Sequence, residues 1–438
     1  MTLLDSLSSP TVDQQLINLL ASRLGDLLTD ERLDRRARNL REPSNQEEHE
    51  FARTAVHAEL LRFAASRRAE GKSILTVFDE AQISSAAIAQ VLGLGRLQPL
   101  LEDDEISDIH VRGNGRVWVK LRNGQRETRD PVVETDEELI ELVRRAATRL
   151  SRQERRFDAG TPELNMQLPD GSRMFATMDI SQRPSLIIRR HRFEISSLEE
   201  LHLRGLLTED LRDFLGAAVR ARRNIVIAGG TGSGKTTLLR ALINEVPPAE
   251  RLVTIEDAYE LGLDHFEHLH PDHDALQSRP ANIEGRGEIT LADLTRMALR
   301  MDPDRVIVGE VRGAEAFPML LAMSQGNNGS MCTMHADSTR SVFPKLAAYV
   351  SMAATGLPVD TINLLLASAL HLVVYIDNSN QWRQVTSVRE VVDSDGSNIV
   401  SNEIFSLNDQ GELTKAFPVR EITRDLLSKY GYDDRADL

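Results

Sequence analysis

The residue pattern with the clearest chemistry is a glycine-rich loop between a β-branched run and a helical pattern. Gly229, four further residues, Gly234, Lys235 and a hydroxyl residue follow one another with the spacing of a phosphate-binding loop. Glycines allow positive φ, so backbone N–H groups can turn inward beside the next helix N-terminus and bind β- and γ-phosphates. The residues expected to bind nucleotide are Gly230, Thr231, Gly232, Ser233, Gly234, Lys235, Thr236 and Thr237.

Lys235 would place positive charge on the phosphates, and the Thr236 hydroxyl would face Mg²⁺. The alternative is a glycine-rich turn between strand and helix that binds no ligand. The β-branched run before the loop and the helical pattern after it favour the phosphate site over that alternative.

Two acidic residues follow apolar strand patterns downstream of this loop. Glu310 ends the run DRVIVGE, and Glu256 ends the run LVTIE. One acid at a strand end is commonly an ordinary loop residue, but two downstream of a phosphate loop favour a role in orienting water and metal. Gly309 stands where an Asp usually precedes the glutamate, so we expect Mg²⁺ to be bound by Thr236, waters and an acid such as Glu310.

Histidines occur in two settings. His335 follows the apolar run SMCTM, where an imidazole could sense the γ-phosphate or bridge to a neighbouring subunit. Taken alone, this histidine is better explained by a structural role. The segment DHFEHLHPDHD resembles a metal-binding tract, but its irregular spacing defines no ligand set, so we do not expect a metal there.

Composition limits the class of protein. The chain has 438 residues, a net charge of −15 and a pI near 5.3, which argues against a dedicated nucleic-acid binder that depends on surplus Lys and Arg. Cys332 is the only cysteine, so neither an internal disulfide nor a thiolate zinc cluster is expected, and a reducing cytoplasm fits. The N-terminus lacks a signal-peptide pattern and no apolar stretch has the length of a membrane span, so any membrane association should go through partners or surface contact.

The pattern of apolar and polar residues changes along the chain. Residues 1–95 have apolar positions at three- and four-residue spacing and predict a helical module. Residues 96–205 alternate apolar and polar positions around turn signals and predict a small α+β domain. Residues 206–438 alternate short apolar runs with helical patterns, which predicts an α/β domain with a mostly parallel sheet and flanking helices, followed by a C-terminal extension.

Four motifs together resemble the nucleotide-site elements of the secretion-superfamily ATPases. GGTGSGKTT, TIED, MDPDRVIVGEVRGAEA and GSMCTMHADST are similar to the phosphate loop, Asp box, Walker B segment and His box of that family. ISDIHVRGNGRVWV, LPDGSRM, PSLIIRR and the run from SRPANIEGRGEIT onward are most similar to the Tad (Flp) pilus assembly ATPases. The resemblance covers about 96 to 400. It implies a ring-forming, usually hexameric ATPase in which ATP binds between an N-terminal domain and a RecA-like C-terminal domain.

The resemblance also implies roles for individual residues. Lys235 and Thr236 match the phosphate and Mg²⁺ ligands, Glu310 the catalytic Walker B glutamate, and Glu256 the Asp-box acid that helps to position water. His335 matches the His-box residue, which favours a role in the site over a structural one.

Three arginines match the N-terminal-domain arginines that reach the γ-phosphate in this family. Arg173 lies in DGSRM, and either Arg189 or Arg190 in LIIRRH occupies the second position. A guanidinium delivered by a moving domain would make hydrolysis depend on domain closure. Such closure would pass motion to platform proteins at the inner face of the cytoplasmic membrane.

The sequence departs from the family in three places. The tetracysteine metal domain of type II secretion members is absent, since the chain has one cysteine. GNNGSMCTMHAD stands where Tad members more often have a TGHDGS-like stretch. The first 95 residues match no module that can be named.

Three functions are compatible with these motifs. The ordered set favours a cytoplasmic ATPase motor, a homo-hexamer that serves Tad-type pilus assembly or a related secretion apparatus. A RecA-like nucleic-acid translocase is a second possibility, against which the acidic balance and the lack of an aromatic-rich basic groove count. A regulatory module that holds nucleotide without turnover is the third.

Overall fold

The computed structural model describes residues 10–41, 43–73, 75–150, 155–190, 196–282, 284–378 and 383–433. They form two compact units, Met1–His191 and Arg192–Leu438. Within these ranges no helix has both the length and the apolar character that crossing a membrane requires. The first nine residues, which include most of the segment judged not to be a signal peptide, lie outside the described residues.

The first unit opens with three long helices, as the helical spacing predicts: α1 Pro10–Ala37, α2 Asn45–Ala69 and α3 Val77–Leu92. Helices α2 and α3 begin with capping boxes. The hydroxyls of Ser44 and Thr76 accept from the backbone N–H three residues later, and the carboxylates of Glu47 and Asp79 at those positions accept from the backbone N–H of Ser44 and Thr76. The apolar stripes of the three helices pack into one core. A short helix follows, α4 Gln98–Glu102.

An antiparallel sheet of six strands completes the first unit. Its strands and one helix are β1 Ile106–Arg112, β2 Val117–Leu121, β3 Arg126–Arg129, α5 Asp136–Leu150, β4 Glu163–Gln167, β5 Arg173–Thr177 and β6 Ser185–Arg189. The strand order is β3-β2-β1-β6-β5-β4. One face of the sheet packs on α5, while the other is more exposed and carries both polar and apolar side chains, among them Lys120, Trp118 and Ile187.

The second unit contains a sheet of nine strands. Its elements up to the loop after β11 are α6 Leu198–Leu203, α7 Glu209–Arg220, β7 Ile225–Gly229, α8 Lys235–Ile243, β8 Leu252–Glu256, β9 His273–Gln277, α9 Leu291–Ala298, β10 Arg305–Val311, α10 Ala316–Ser324 and β11 Met331–Met334. The remaining elements are α11 Val342–Met352, α12 Val359–Ala369, β12 Leu372–Asp377, β13 Gln384–Ser394, β14 Ile399–Leu407, β15 Leu413–Lys415 and α13 Glu421–Ser428.

The order of the strands is β15-β14-β13-β12-β7-β11-β10-β8-β9. From β12 to β9 all neighbours are parallel, and β13, β14 and β15 extend the sheet in antiparallel fashion. Without β9, the parallel strands follow the order β12-β7-β11-β10-β8 across the sheet. Numbered by their occurrence in the chain, this is 5-1-4-3-2, the RecA-like order. The predicted parallel sheet is confirmed, but β9 was not expected. It begins at the end of the histidine-rich tract, and its half-buried residues, HDALQ, form no continuous apolar run.

Helices cover both faces of this sheet. All five residues of β7 are buried, and they alternate between two cores. Ile225 and Ile227 contribute to the core that includes residues of α7 and α8, and Val226 and Ala228 to the core that includes residues of α9 to α12. Burial on both faces explains why these strands are continuous apolar runs.

Buried polar side chains join the amino ends of the strands. The Asn224 amide donates to the carbonyls of Met323 and Ala369 at 2.9 and 2.6 Å, and its oxygen accepts from Gly329 N and Ser330 N at 2.7 and 3.1 Å. A second clamp is the fully buried Arg305, which binds both carboxylate oxygens of Glu250 at 2.7 and 3.0 Å. The opposite edge, where the strands end, carries the candidate site.

Candidate functional site

The glycine loop joins the buried strand β7 to helix α8. Gly232 and Gly234 have φ of +72° and +104°, left-handed values that a side chain would strain. Gly234 directly precedes α8, so the loop ends at the N-terminus of a nine-residue helix whose first N–H groups have no partner within the helix. Ser233 is fully buried, and its hydroxyl oxygen has no hydrogen-bond partner within the described part of the chain.

Lys235 is curled beneath this loop. Its Nζ donates to the carbonyl oxygens of Gly229 at 3.1 Å and Gly230 at 2.7 Å and lies 3.3 Å from His335 Nδ1. Burial lowers the pKa of Lys235, and the negative charges of Glu310 and Glu260 oppose that shift. A buried ammonium held mainly by carbonyls can exchange these partners for phosphate oxygens.

Glu310 and His335 converge because β10 and β11 are parallel neighbours. His335 Nε2 lies 2.8 Å from Glu310 Oε1. Since the ammonium of Lys235 only donates, His335 Nδ1 is assigned as the acceptor and Nε2 as the nitrogen that donates to Glu310. Three sequence-predicted residues thus form a continuous chain from the glycine loop to the Walker B-like glutamate.

Glu256 ends the strand next to β10 and is buried. Its Oε2 accepts from the backbone N–H groups of Glu260 and Leu261, both at 2.8 Å. Burial raises the pKa of Glu256 to about 7, because lost solvation outweighs the two backbone hydrogen bonds that favour the ionised form. This carboxylate therefore shapes the turn that follows its own strand.

Gly309 makes room for Glu256. A Cβ atom at position 309 would lie 3.2 Å from Glu256 Cγ, tighter than most such contacts. A side chain at position 309 would therefore require Glu256 Cγ to shift by a few tenths of an ångström.

The turn after β8 supplies an acid that the strand-end argument missed. Glu260 Oε2 lies 3.5 Å from Thr236 Oγ1, and the Glu260 carbonyl accepts from Arg240 Nε at 3.0 Å. Glu260 therefore faces the hydroxyl predicted to bind Mg²⁺. The signal available in the sequence was its position four residues after Glu256, within the same segment.

The other loop residues predicted to bind nucleotide make contacts within the second unit. The Gly230 carbonyl faces Lys235, and the Thr231 carbonyl accepts from Asn378 Nδ2 at 3.4 Å. Thr236 and Thr237 are half-buried in the first turn of α8.

The predicted arginines belong to the first unit. Arg173 and Arg189 are direct cross-strand partners on β5 and β6. Arg189 Nε donates to Asp108 Oδ1 at 3.1 Å while its side chain stays 58% exposed. Arg190 instead donates from Nη1 to the carbonyl oxygens of Asp103 and Ile106, and burial lowers its pKa.

The histidine tract forms no metal centre among the residues that the structure describes. His270 is buried with Nε2 3.1 Å from Asn244 Oδ1, and burial lowers its pKa to about 4. His273 Nε2 lies 2.8 Å from Asp264 Oδ1. Both side chains hold the segment around β9 in place.

Known proteins resemble this chain over the region that contains the site. A family model described as Type II/IV secretion system protein matches residues 90–404. A Mycobacterium tuberculosis protein provisionally named for conjugal transfer is 35% identical over 304 residues, covering 67% of this chain and 83% of that protein. The type IV secretion system protein VirB11 of Brucella suis is 32% identical over 339 residues, covering 70% of this chain and 90% of that protein.

A solved structure also aligns. The VirB11 ATPase of the Brucella suis type IV secretion system, in complex with sulphate, matches at 30% identity with a TM-score of 0.37, covering 70% of this chain and 96% of that chain. The region matched by the family model includes the glycine loop, both strand-end glutamates, His335 and the three arginines.

Proposed function

Because the chain belongs to the Type II/IV secretion system protein family, we propose that it hydrolyses ATP to drive Tad (Flp)-type pilus assembly or a related secretion process. The observation that carries this proposal is the chain of contacts from the glycine loop through Lys235 and His335 to Glu310. A glycine loop with a lysine beneath it suits a triphosphate, and a glutamate on β10, two strands away in the sheet, suits the water that attacks it.

The residues present fit ATP and Mg²⁺. The α8 N-terminus, the inward Ser233 hydroxyl and Lys235 offer donors to phosphate oxygens. Thr236 with Glu310 would hold Mg²⁺, and Glu260 stands beside the Thr236 hydroxyl as a further acid. Bound Mg²⁺ supplies neutralisation of charge on the β- and γ-phosphates.

In hydrolysis, Glu310 would orient the attacking water. His335 keeps its Nε2 proton directed at the Glu310 carboxylate and so fixes where that carboxylate points. Glu256 acts one step further out, because its carboxylate fastens the turn that presents Glu260.

The arginines would complete the site from the N-terminal domain. Arg173 and Arg189 are adjacent on neighbouring strands, so two guanidinium groups can act on one phosphate. Arg190 is held by two carbonyls, so we assign the second position to Arg189. Turnover would then require domain closure, which is the step that performs work.

The assembly would be a homo-hexameric ring in the cytoplasm, peripheral to the inner face of the membrane and in contact with platform proteins. The predicted domains, 1–95, 96–205 and 206–438, are retained as its working parts. Residues 1–95 would contact a partner specific to this apparatus.

Two alternatives predict different behaviour. A nucleic-acid translocase would show ATP turnover stimulated by single-stranded DNA with steep salt dependence, which the net charge of −15 disfavours. A nucleotide-holding regulator would bind ATP tightly without product, which the aligned Glu310 disfavours.

The deciding experiment is ATP turnover by wild type, Glu310→Gln and Lys235→Ala, with particle mass measured with and without Mg-ATP. We expect turnover by wild type alone in a particle of about six subunits, ATP retained by Glu310→Gln, and weakened binding by Lys235→Ala. Equal turnover in all three proteins would contradict the assigned site. ATP bound by wild type without product, with and without lipid, would favour the regulator.

A further inference from the structure

A closed ring of hydrogen bonds joins the turn after His335 to strands β13 and β14. Arg389 Nε donates to Thr339 Oγ1 at 3.1 Å, and Thr339 Oγ1 lies 3.0 Å from Ser387 Oγ. Ser387 Oγ donates to Glu403 Oε1 at 2.5 Å, and Arg389 Nη2 lies 2.9 Å from Glu403 Oε2. Four side chains from three segments thus close on one another.

Donors and acceptors agree around this ring. Thr339 accepts from Arg389, so its own hydroxyl proton is available for Ser387. Ser387 gives its proton to Glu403, whose second oxygen accepts from Arg389. One arrangement of protons satisfies all four bonds, and a fully satisfied network of this kind specifies a single geometry.

The ring is buried. Arg389 is 3% exposed and Thr339 1% exposed, and burial lowers the pKa of Arg389. Glu403 is its direct cross-strand partner, so the charge is compensated where it lies. Removal of one member would leave a buried polar group unsatisfied, which costs more than the bond itself contributes.

His335 lies between two fixed points. On one side β11 is paired in the sheet, and on the other Thr339, four residues later, is held in the ring. The turn closes locally as well, since Ser341 Oγ accepts from the backbone N–H groups of Asp337 and Ser338 at 3.1 and 3.0 Å. The direction of the His335 ring therefore depends on where Thr339 is anchored.

We propose that Arg389 is a positioning residue that acts through Thr339 to align His335 with Glu310. This inference rests on the proposed ATPase function. It gives the antiparallel extension of the sheet a part in the reaction, because side chains of β13 and β14 hold the turn that follows β11.

The test compares Thr339→Val with Thr339→Ser. Valine keeps the shape of threonine but has no hydroxyl, whereas serine keeps the hydroxyl. We expect Thr339→Val to lower kcat about tenfold with KM for ATP unchanged, and Thr339→Ser to restore it, since one hydrogen bond corresponds to about one decade in rate. Ser401→Ala is the matched control, because Ser401 Oγ lies only at the rim, 3.5 Å from Arg389 Nη1.

A double-mutant cycle identifies the route of action. If Thr339 works through His335, Thr339→Val has no further effect on turnover in the His335→Ala background. Additive losses, or wild-type kcat in folded Thr339→Val, would overturn the inference while wild-type turnover leaves the ATPase function standing. Absence of turnover in wild type would instead remove the proposed function.

Arg389→Lys offers a second variant if Thr339→Val does not fold. A lysine keeps the cation but cannot reproduce the planar fork that reaches Thr339 and Glu403 together. We expect the same loss of kcat at unchanged KM, with the same lack of effect in the His335→Ala background. An altered KM with unchanged kcat would overturn the inference.

Discussion

His335 Nε2 lies 2.8 Å from Glu310 Oε1, and we assign it as the donor of this hydrogen bond. Its other nitrogen faces the ammonium of Lys235 at 3.3 Å. The imidazole thus connects the residue predicted to bind phosphate with the residue predicted to orient water. Departure of Lys235 toward a phosphate would free one side of the ring and leave the other on Glu310.

Substitution of His335 should therefore affect turnover more than nucleotide binding. We expect His335→Ala to lower kcat by about 100-fold, within the range of a positioned acid–base group. Binding of a fluorescent ATP analogue should change little, because Lys235 keeps its contacts with the loop. The kcat of His335→Gln, whose amide can still donate to Glu310, should lie between those of wild type and His335→Ala. An equal loss of affinity and turnover would place His335 among the phosphate ligands.

Glu260→Gln should raise the Mg²⁺ concentration needed for half-maximal turnover, about tenfold, since Glu260 faces the Thr236 hydroxyl at 3.5 Å. The measurement is a Mg²⁺ titration of steady-state ATPase activity at fixed ATP. Glu267→Gln is the control, because that residue is exposed on the same segment. If both variants titrate like wild type, Glu260 has no part in metal binding.

Glu256→Gln should change how stability depends on pH. The folded chain holds the Glu256 proton to about pH 7, whereas an unfolded glutamate loses it near 4.5. The folded state binds more protons between these values, so this residue makes the free energy of unfolding fall as pH rises from about 4.5 to about 7. The variant lacks that contribution. Between pH 4.5 and pH 8, its free energy of unfolding should therefore rise by on the order of 3 kcal/mol relative to that of wild type.

Urea unfolding between pH 5 and 8 checks this expectation. Glutamine keeps an oxygen for the N–H groups of Glu260 and Leu261, so the turn is preserved. A constant difference between the two proteins across the whole pH range would show that Glu256 is ionised in the folded state.

Substitution of the two candidate arginines, Arg189 and Arg190, should affect different properties, kcat in one case and stability in the other. Arg189→Ala should lower kcat by about 100-fold or more with little change in stability, as loss of a charge on the transition state does. Arg190→Ala should lower stability by about 1 kcal/mol, because its guanidinium makes part-buried hydrogen bonds to two backbone carbonyls. Steady-state kinetics and thermal unfolding of both variants decide the assignment, and reversed effects would exchange the roles.

The sequence was sufficient to place the residues at the carboxyl ends of apolar strands on one edge of the sheet. Glu310 and His335 meet because consecutive parallel strands end at one edge, and each run was continuous enough to recognise. Glu260 lies in a turn with no periodic pattern, so only coordinates could place it beside Thr236. The β9 strand was missed for a similar reason, since each of its residues is half-buried and polar residues interrupt it.

Contacts distant in sequence were also beyond prediction. Arg389 is fifty residues from Thr339, and no motif around either residue predicts that the two side chains are bonded. The roles of Asn224 and Arg305 depend on carbonyl, backbone amide and carboxylate groups that lie far away in the sequence. A pattern of apolar spacing indicates none of these partners.

The clamps of Asn224 and Arg305 have a mechanical consequence. They fasten the amino ends of strands whose other ends carry the glycine loop, Glu310 and His335, so the sheet is restrained at the edge away from the candidate site. Under the proposed ATPase function, a displacement that begins at the glycine loop would be passed along these strands with little deformation of the sheet at its far edge. Low compliance of this kind is what a motor needs if each ATP is to produce a displacement in its partner.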